Sequence, residues 1–168
     1  MKTVRQELIK YKTGLIIGRF QPFHNGHLYL IKKALTLVDG LTIGVGSTNV
    51  INPDNPWSYS LRKKMLELVF EKENWRDRLI KIVDIPDTPD DNEWLKLTLE
   101  RTGQFDVSIG NNEWVNGIFE GAGIPVARIT FYKRYILEGE KIRQLMRNGK
   151  KWQEKIDRKT INHKNRLV

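Results

Sequence analysis

The sequence predicts an α/β fold in which an open, parallel, five-stranded sheet carries helices on both faces. Five short aliphatic runs with β character alternate with segments whose apolar residues recur at helical spacing. The connections between them are short, and no internal repeat or low-complexity linker interrupts the 168 residues. We therefore expect one domain over residues 1–168, with 1–12 as a polar extension and 139–168 as a helical C-terminal part.

The first strand and the first helix flank the most informative segment of the chain. Residues 14–17 form a short apolar run, and helical spacing continues over residues 24–38. Asp39-Gly40 is a typical stop signal, which predicts that the helix ends there. The β-branched residues within 41–45 predict the second strand, and a polar exit loop follows it.

A loop with two prolines separates the second strand from the second helix. The prolines fall within residues 52–57, which therefore cannot form regular helix. Ser58 or Ser60 can cap a helix over 61–73 whose apolar residues share one face. The next run, 79–83, has strand character. The remaining predicted elements are helix 93–101, strand 107–109, helix 115–119, strand 125–129 and two helical pieces at 140–147 and 152–156.

Composition limits the classes of function. The chain has no cysteine, which excludes disulfides, thiolate zinc sites and cysteine nucleophiles. No apolar run has the length of a membrane span and the N-terminus lacks a secretory pattern, so we expect a cytoplasmic protein with no membrane partner. The net charge of +9, from 29 basic and 20 acidic residues, favours a polyanionic ligand. Because the basic residues are dispersed, a nucleoside triphosphate is favoured over nucleic acid.

The segment between the first strand and its helix reads GRFQPFHNGHL, residues 18–28. In an open parallel sheet ligands bind at this junction, where the helix N-terminus offers unpaired N–H groups to an anion. His24 and His27 are three residues apart, so both can face the same side of the first helical turn. Gly26 lets a phosphate approach the backbone, and Arg19 can hold phosphate oxygens in its guanidinium fork.

This segment resembles the HxGH signature of nucleotidyltransferases with a Rossmann-like fold. Its longer form, GRFQPFHxGH, is most similar to that of archaeal nicotinamide mononucleotide (NMN) adenylyltransferases. The resemblance implies adenylyl transfer from ATP to NMN, which gives NAD and pyrophosphate. It also implies that Mg²⁺ enters with ATP rather than on protein ligands, and that the enzyme is a homo-oligomer, for example a hexamer.

The resemblance assigns roles within the motif. His24 and His27 would act near the α-phosphate and the leaving pyrophosphate, and Arg19 would contact the phosphates. Adenylyl transfer suits such residues, because charge accumulates on oxygen atoms and catalysis needs positioned hydrogen-bond donors more than a covalent nucleophile. The ATP-binding surface would also include Gly18, Phe20 and Gly26.

A second matching stretch lies near the C-terminus. The family pattern has a serine, a glycine and a threonine before its arginine, whereas this chain has Glu138, Gly139 and Glu140 before Ile142 and Arg143. The resemblance assigns Arg143 to catalysis, and Gly139 and Ile142 to the triphosphate site. The glutamates depart from the pattern, because a carboxylate cannot donate hydrogen bonds and repels phosphate. Either they cap the helix N-terminus, the explanation we favour, or they approach nucleotide-bound Mg²⁺, or nucleotide binding has weakened.

The acceptor site is expected after the third strand. In the archaeal relatives a polar residue and then a tryptophan receive NMN there, and Asn92 and Trp94 match them. A tryptophan face can stack on a pyridinium ring, and the alternative is a core position on the helix. Asn111 and Asn112 match a Gly-Asn of the family, with a simple asparagine turn as the alternative. Arg62 is either a further phosphate contact or a solvated helix residue.

Two other functions stay open from the sequence alone. The first is nucleotidyl transfer to another phosphorylated acceptor, such as pantetheine phosphate or flavin mononucleotide, and Trp94 weakly favours nicotinamide over pantetheine. The second is a nucleotide-binding regulatory protein that has lost catalysis, which Glu138 and Glu140 would explain.

Overall fold

The structure, a computed structural model, describes residues 11–134 and 136–156. Its strands are β1 (Tyr11–Gly18), β2 (Val38–Gly46), β3 (Leu79–Ile85), β4 (Val107–Gly110) and β5 (Val126–Arg128). Its α-helices are α1 (Asn25–Ala34), α2 (Tyr59–Lys72), α3 (Asp91–Thr102), α4 (Glu113–Gly121) and α5 (Gly139–Arg147). None of these helices is both long and apolar enough to cross a membrane. Most of the predicted N-terminal extension, and the chain beyond residue 156, lie outside the described residues.

All five strands are parallel and form one sheet in the order β3-β2-β1-β4-β5, which confirms the predicted fold class. The strand order reverses at β1, which pairs with β2 on one side and with β4 on the other. Such a reversal opens a crevice at the carboxyl ends of the two central strands, where open α/β sheets bind their ligands. The loops after β1 and β4 carry the motif of residues 18–28 and Asn111-Asn112.

Successive residues of β1 face two separate cores. Ile16 belongs to the larger cluster, which includes Met65 of α2. Leu15 belongs to the smaller cluster, with Trp94 of α3 and Phe119 of α4. Because successive side chains of a strand point to opposite faces, these two clusters show that helices cover both faces of the sheet, as predicted.

Helix α1 ends earlier than its sequence pattern indicates. Asp39-Gly40 predicts a stop, but the helix ends at Ala34 and β2 begins at Val38. Parallel pairing with β1 starts with Tyr11 opposite Val38, so Asp39-Gly40 lies inside the strand. The predicted helical piece at 152–156 forms only the short 3₁₀ turn Gln153–Lys155.

Candidate active site

A cavity of about 620 Å³ opens at the carboxyl edge of the sheet. Its walls come from the β1–α1 loop, the first turn of α1, the β4–α4 connection and the first turn of α5. The predicted site residues that line it are Gly18, Arg19, Phe20, His24, Gly26, His27, Asn111, Asn112, Gly139 and Arg143. The fold thus brings together three stretches, distant in the chain, that the sequence assigns to one site.

The two histidines begin α1 and hold each other in place. His24 is the N-cap residue, and its Nδ1 accepts a hydrogen bond from the Gly26 N–H at 3.1 Å. The Nδ1 of His27 accepts from the His24 N–H at 3.2 Å, and the two rings stack with centroids 3.8 Å apart. Gly26 is needed here, since a Cβ would lie 2.8 Å from the His24 ring. Because both Nδ1 atoms accept, a neutral ring carries its proton on Nε2, which is then free to donate.

The electrostatics of the pair favour these neutral rings. Burial lowers the pKa of the His24 imidazole from 6.5 to about 4. Burial, and then the neighbouring His24, lower the pKa of His27 well below 6.5. Both rings are therefore neutral hydrogen-bond donors at pH 7 rather than cations, and the positive charge at the site has to come from arginine.

We expect neither histidine of the ligand-free protein to titrate near pH 6.5. Protonation is disfavoured in the folded chain, so His24 should gain its proton only near pH 4, and His27 only well below pH 6.5. Unfolded imidazoles bind protons already below about pH 6.5, so the free energy of unfolding should fall as the pH drops from there through the folded pKa values. NMR titration of the ring Cε1 protons measures both sites, and a midpoint near 6.5 at either would contradict the burial argument.

Two phenylalanine rings support His27. The Phe20 centroid lies 4.7 Å from that of His27, and the Phe23 centroid lies 5.6 Å away. Phe20 adopts a left-handed backbone conformation (φ +52°) and its side chain is buried. The ring of Phe20 thus lines the cavity and lies against His27.

Three arginines line the cavity, Arg19, Arg134 and Arg143, and they come from different parts of the chain. Arg19 follows β1 directly and is exposed. Arg143 of α5 has a side chain only 5% exposed, and its Nη1 donates to the Gln21 carbonyl at 2.7 Å. This bond ties α5 to the β1–α1 loop. Gly139 permits the approach, because a Cβ there would lie 2.9 Å from the same carbonyl oxygen. Guanidinium cations and neutral imidazole donors that line the same cavity can together bind a polyphosphate.

Comparison with known proteins identifies the family to which this chain belongs. A family model described as cytidylyltransferase-like matches residues 15–167, which is most of the chain. The chain belongs to the cytidylyltransferase-like family. Every cavity residue described above falls within the matched part of the chain, so the match includes the whole of the candidate site.

Similar members of this family include curated archaeal proteins. The nicotinamide-nucleotide adenylyltransferase of Halorubrum lacusprofundi is 33% identical over 141 residues, which are 83% of this chain and 78% of the relative. The protein of the same name from Methanococcus aeolicus is 35% identical over 150 residues, which are 89% of this chain and 86% of the relative.

Solved structures show the same fold. A bifunctional NMN adenylyltransferase/ADP ribose pyrophosphatase from Francisella tularensis, complexed with AMP and a manganese ion, is similar with a TM-score of 0.72 and 26% identity. The similarity covers 89% of this chain but only 46% of the Francisella chain. The matched part of this chain therefore spans less than half the length of that bifunctional protein.

Arg62 does not reach the cavity of this family member. It is predicted as a phosphate contact or a solvated residue, but its side chain is fully buried. Its Nη1 donates to the carbonyls of Arg19 and Gly46, both at 2.8 Å. Burial, and then the charge of Arg19, lower the pKa of Arg62 to about 10. Arg62 thus joins the ends of β1 and β2 and positions the loop that carries Arg19.

The two tryptophans near the cavity have different positions. Trp94 is only 4% exposed and does not line the cavity, so the structure supports the core alternative for its side chain. Trp114, which the sequence analysis does not select, is 50% exposed and lines the wall. Its ring centroid lies 4.9 Å from that of Trp94, and its Nε1 donates to Asp91 Oδ1 at 3.2 Å. The sequence feature that could have identified Trp114 is its position two residues after Asn112, in the segment that follows β4.

The structure also locates three other predicted site residues, Asn112, Asn92 and Ile142. Asn112 caps α4, with Oδ1 accepting from the Trp114 N–H at 3.0 Å, although it also lines the cavity. Asn92 is exposed on α3 and Ile142 is buried in α5, and neither lines the cavity. Asn112 therefore fits the asparagine-turn alternative in part. In this structure Asn92 and Ile142 do not make the direct cavity contacts that their predicted roles require.

The glutamates that depart from the family pattern do not act as caps. Glu138 is the N-cap residue of α5, but its side chain accepts no capping bond within the described part of the chain. Its carboxylate oxygens lie 3.8 Å from Arg134 Nη2 and 3.5 Å from Lys141 Nζ instead. The carboxylate of Glu140 contacts Arg143, which is the largest cause that lowers the pKa of Glu140. Both glutamates line the cavity, so they do not face away from it as the favoured capping explanation expects, although both lie at the N-terminus of α5.

Proposed function

We propose that this protein is a nicotinamide-nucleotide adenylyltransferase, which transfers AMP from ATP to NMN and gives NAD and pyrophosphate. One observation carries the proposal: two neutral histidines with free Nε2 donors share a crevice with Arg19 and Arg143. The names of the archaeal relatives support the choice of substrates.

The chemistry follows from these donors. A phosphate oxygen of NMN attacks the α-phosphorus of ATP, and the bond from that phosphorus to the bridging oxygen of pyrophosphate breaks. Negative charge then rises on the α-phosphate oxygens and on the leaving group. The Nε2–H groups of His24 and His27 donate to these oxygens without having to lose a proton, and the two arginines supply the positive charge.

A divalent cation is expected to enter with the nucleotide. Among the described residues, no group of three or more histidine, aspartate or glutamate side chains could hold a metal ion. The similar Francisella structure contains AMP and a manganese ion. We propose Mg²⁺ as the ion bound to the triphosphate, where it would neutralise phosphate charge.

The nicotinamide ring of NMN would lie against Trp114. Its half-exposed indole is anchored by Asp91 and by the ring of Trp94. An electron-rich indole face attracts a pyridinium cation, and the carboxylate of Asp91, which accepts from the same indole, favours the positive charge. Neither phosphopantetheine nor a flavin carries a cationic ring, so this wall favours NMN among the open alternatives.

Pyrophosphate release with a panel of acceptors tests the function. Purified protein with Mg-ATP should release pyrophosphate with NMN and form NAD, identified by its mass. Phosphopantetheine and flavin mononucleotide should give little release. A strong response to either of them instead would overturn the choice of acceptor, and no release with any phosphorylated acceptor would favour a regulatory protein without catalysis.

Trp114→Ala should weaken NMN binding and leave ATP binding nearly unchanged. An aromatic contact contributes about 0.5–1.5 kcal/mol beyond area burial, so KM for NMN should rise about three- to tenfold. Steady-state kinetics with each substrate varied in turn measures both values. Trp114→Phe is the matched control and should recover most of the affinity. Equal effects of Trp114→Ala on both KM values would argue against an acceptor role.

We further propose that the protein acts in the cytoplasm and assembles as a homo-oligomer. The lack of cysteine suits a reducing compartment but does not require one. Light scattering coupled to size exclusion gives the number of copies.

A further inference from the structure

The guanidinium of Arg143 is fixed in position but incompletely paired. Its Nη1 donates to the Gln21 carbonyl, which holds the side chain against the β1–α1 loop. Its Nε is buried and has no hydrogen-bond partner among the described residues. Leaving a buried donor unpaired is costly, so an acceptor from outside the described residues, such as a bound anion, is expected to complete the group.

The remaining nitrogen of Arg143 is occupied by a carboxylate. Its Nη2 donates to Glu140 Oε2 at 2.7 Å, and Asp54 Oδ1 lies 4.0 Å from the same atom. Glu140 lines the cavity and is 40% exposed, so its carboxylate is in the place where an incoming anion would meet Arg143.

Glu140 has a second set of donors on the outer side of α5. Its Oε1 accepts from Arg147 at 3.0 Å and from Gln144 at 3.1 Å. Neither of these residues lines the cavity. A half-exposed glutamate with partners on both sides can release Arg143 and keep its charge paired, since only side-chain torsions need to change.

We propose that Glu140 is an internal competitor of the nucleotide phosphates for Arg143, and that Arg147 and Gln144 retain it when phosphate binds. The proposal rests on the proposed function, because the competing ligand is the triphosphate of ATP. Glu140 thereby sets how tightly the site binds polyphosphate. The hydroxyl residue of the family pattern at this position would remove this close ion pair and leave Arg143 Nη2 with only the 4.0 Å contact to Asp54 Oδ1.

Binding of inorganic tripolyphosphate, measured by calorimetry, tests the inference without an acceptor. Glu140→Gln should tighten binding about fivefold or more, as expected for loss of a competing ion pair at a partly buried site. Glu67→Gln is the matched control, because it removes the same charge from an exposed pair with Lys63 on α2. It should change the affinity less than twofold.

A double-mutant cycle separates competition from simple loss of charge. Arg147→Gln removes a retaining donor, so it should weaken tripolyphosphate binding in the wild-type background and have no effect when Glu140 is already glutamine. Equal losses in both backgrounds would overturn the inference, as would unchanged or weaker binding by a folded Glu140→Gln protein.

The activity of the wild-type protein distinguishes failure of this inference from failure of the proposed function. If the wild-type protein forms NAD but Glu140→Gln gains no affinity, the inference fails and the proposed function stands. If the wild type binds neither ATP nor tripolyphosphate, the proposed function fails and the inference fails with it.

Discussion

Replacing His27 by alanine is expected to lower kcat by about two orders of magnitude or more while the fold survives. Loss of one preorganised donor to a developing charge typically costs about 2.7–4 kcal/mol of transition-state stabilisation. His27 is such a donor, because its Nδ1 is occupied by the His24 N–H and its ring is held by Phe20 and Phe23. Single-turnover and steady-state rates with Mg-ATP and NMN measure the effect.

Two further variants make this result interpretable. Asn25→Ala changes the neighbouring residue of the same helical turn, whose side chain bonds the Glu154 carbonyl rather than facing the cavity. It should leave kcat within about twofold. His27→Asn offers a shorter donor and should recover part of the loss. Near-normal kcat in a folded His27→Ala protein would remove the catalytic assignment.

Trp94→Ala should cost about 3–5 kcal/mol in the free energy of unfolding, because it empties a large buried site. The Trp94 ring packs in the smaller core with Leu15 and Phe119, and its centroid lies 5.9 Å from that of Phe119. Urea denaturation of wild type and variant measures the difference. The cavity would also remove the support behind Trp114, so a weaker effect on KM for NMN is expected alongside the loss of stability.

Trp114→Ala is the matched comparison for this prediction. Its indole is half exposed, so its removal should cost less than about 1 kcal/mol of stability while its effect falls mainly on NMN. Wild-type stability of Trp94→Ala together with a large rise in KM for NMN would return Trp94 to the acceptor site and assign Trp114 a secondary role.

The sequence by itself determined the fold class and the alternation of strands and helices along the chain, and it predicted the place of the candidate active site. These features depend on local patterns: apolar periodicity distinguishes strands from helices, and the HNGH segment organises itself through bonds that span at most three residues. The position of that segment after the first strand of an α/β chain was sufficient to place it at a ligand-binding edge.

The tertiary structure alone decided which side chains reach the cavity. Trp94 and Trp114 are both on helices near the sheet edge, and only the packing of α3 against α4 buries one and exposes the other. Arg62 turns inward because the ends of β1 and β2 present two carbonyls that need donors. Glu140 and Arg143 are only three residues apart on α5, but the bond from Arg143 to the carbonyl of Gln21, 122 residues away in the chain, places their pair at the cavity. Periodicity tells which residues share a face of a helix, but the partner of each face depends on contacts between segments far apart in sequence.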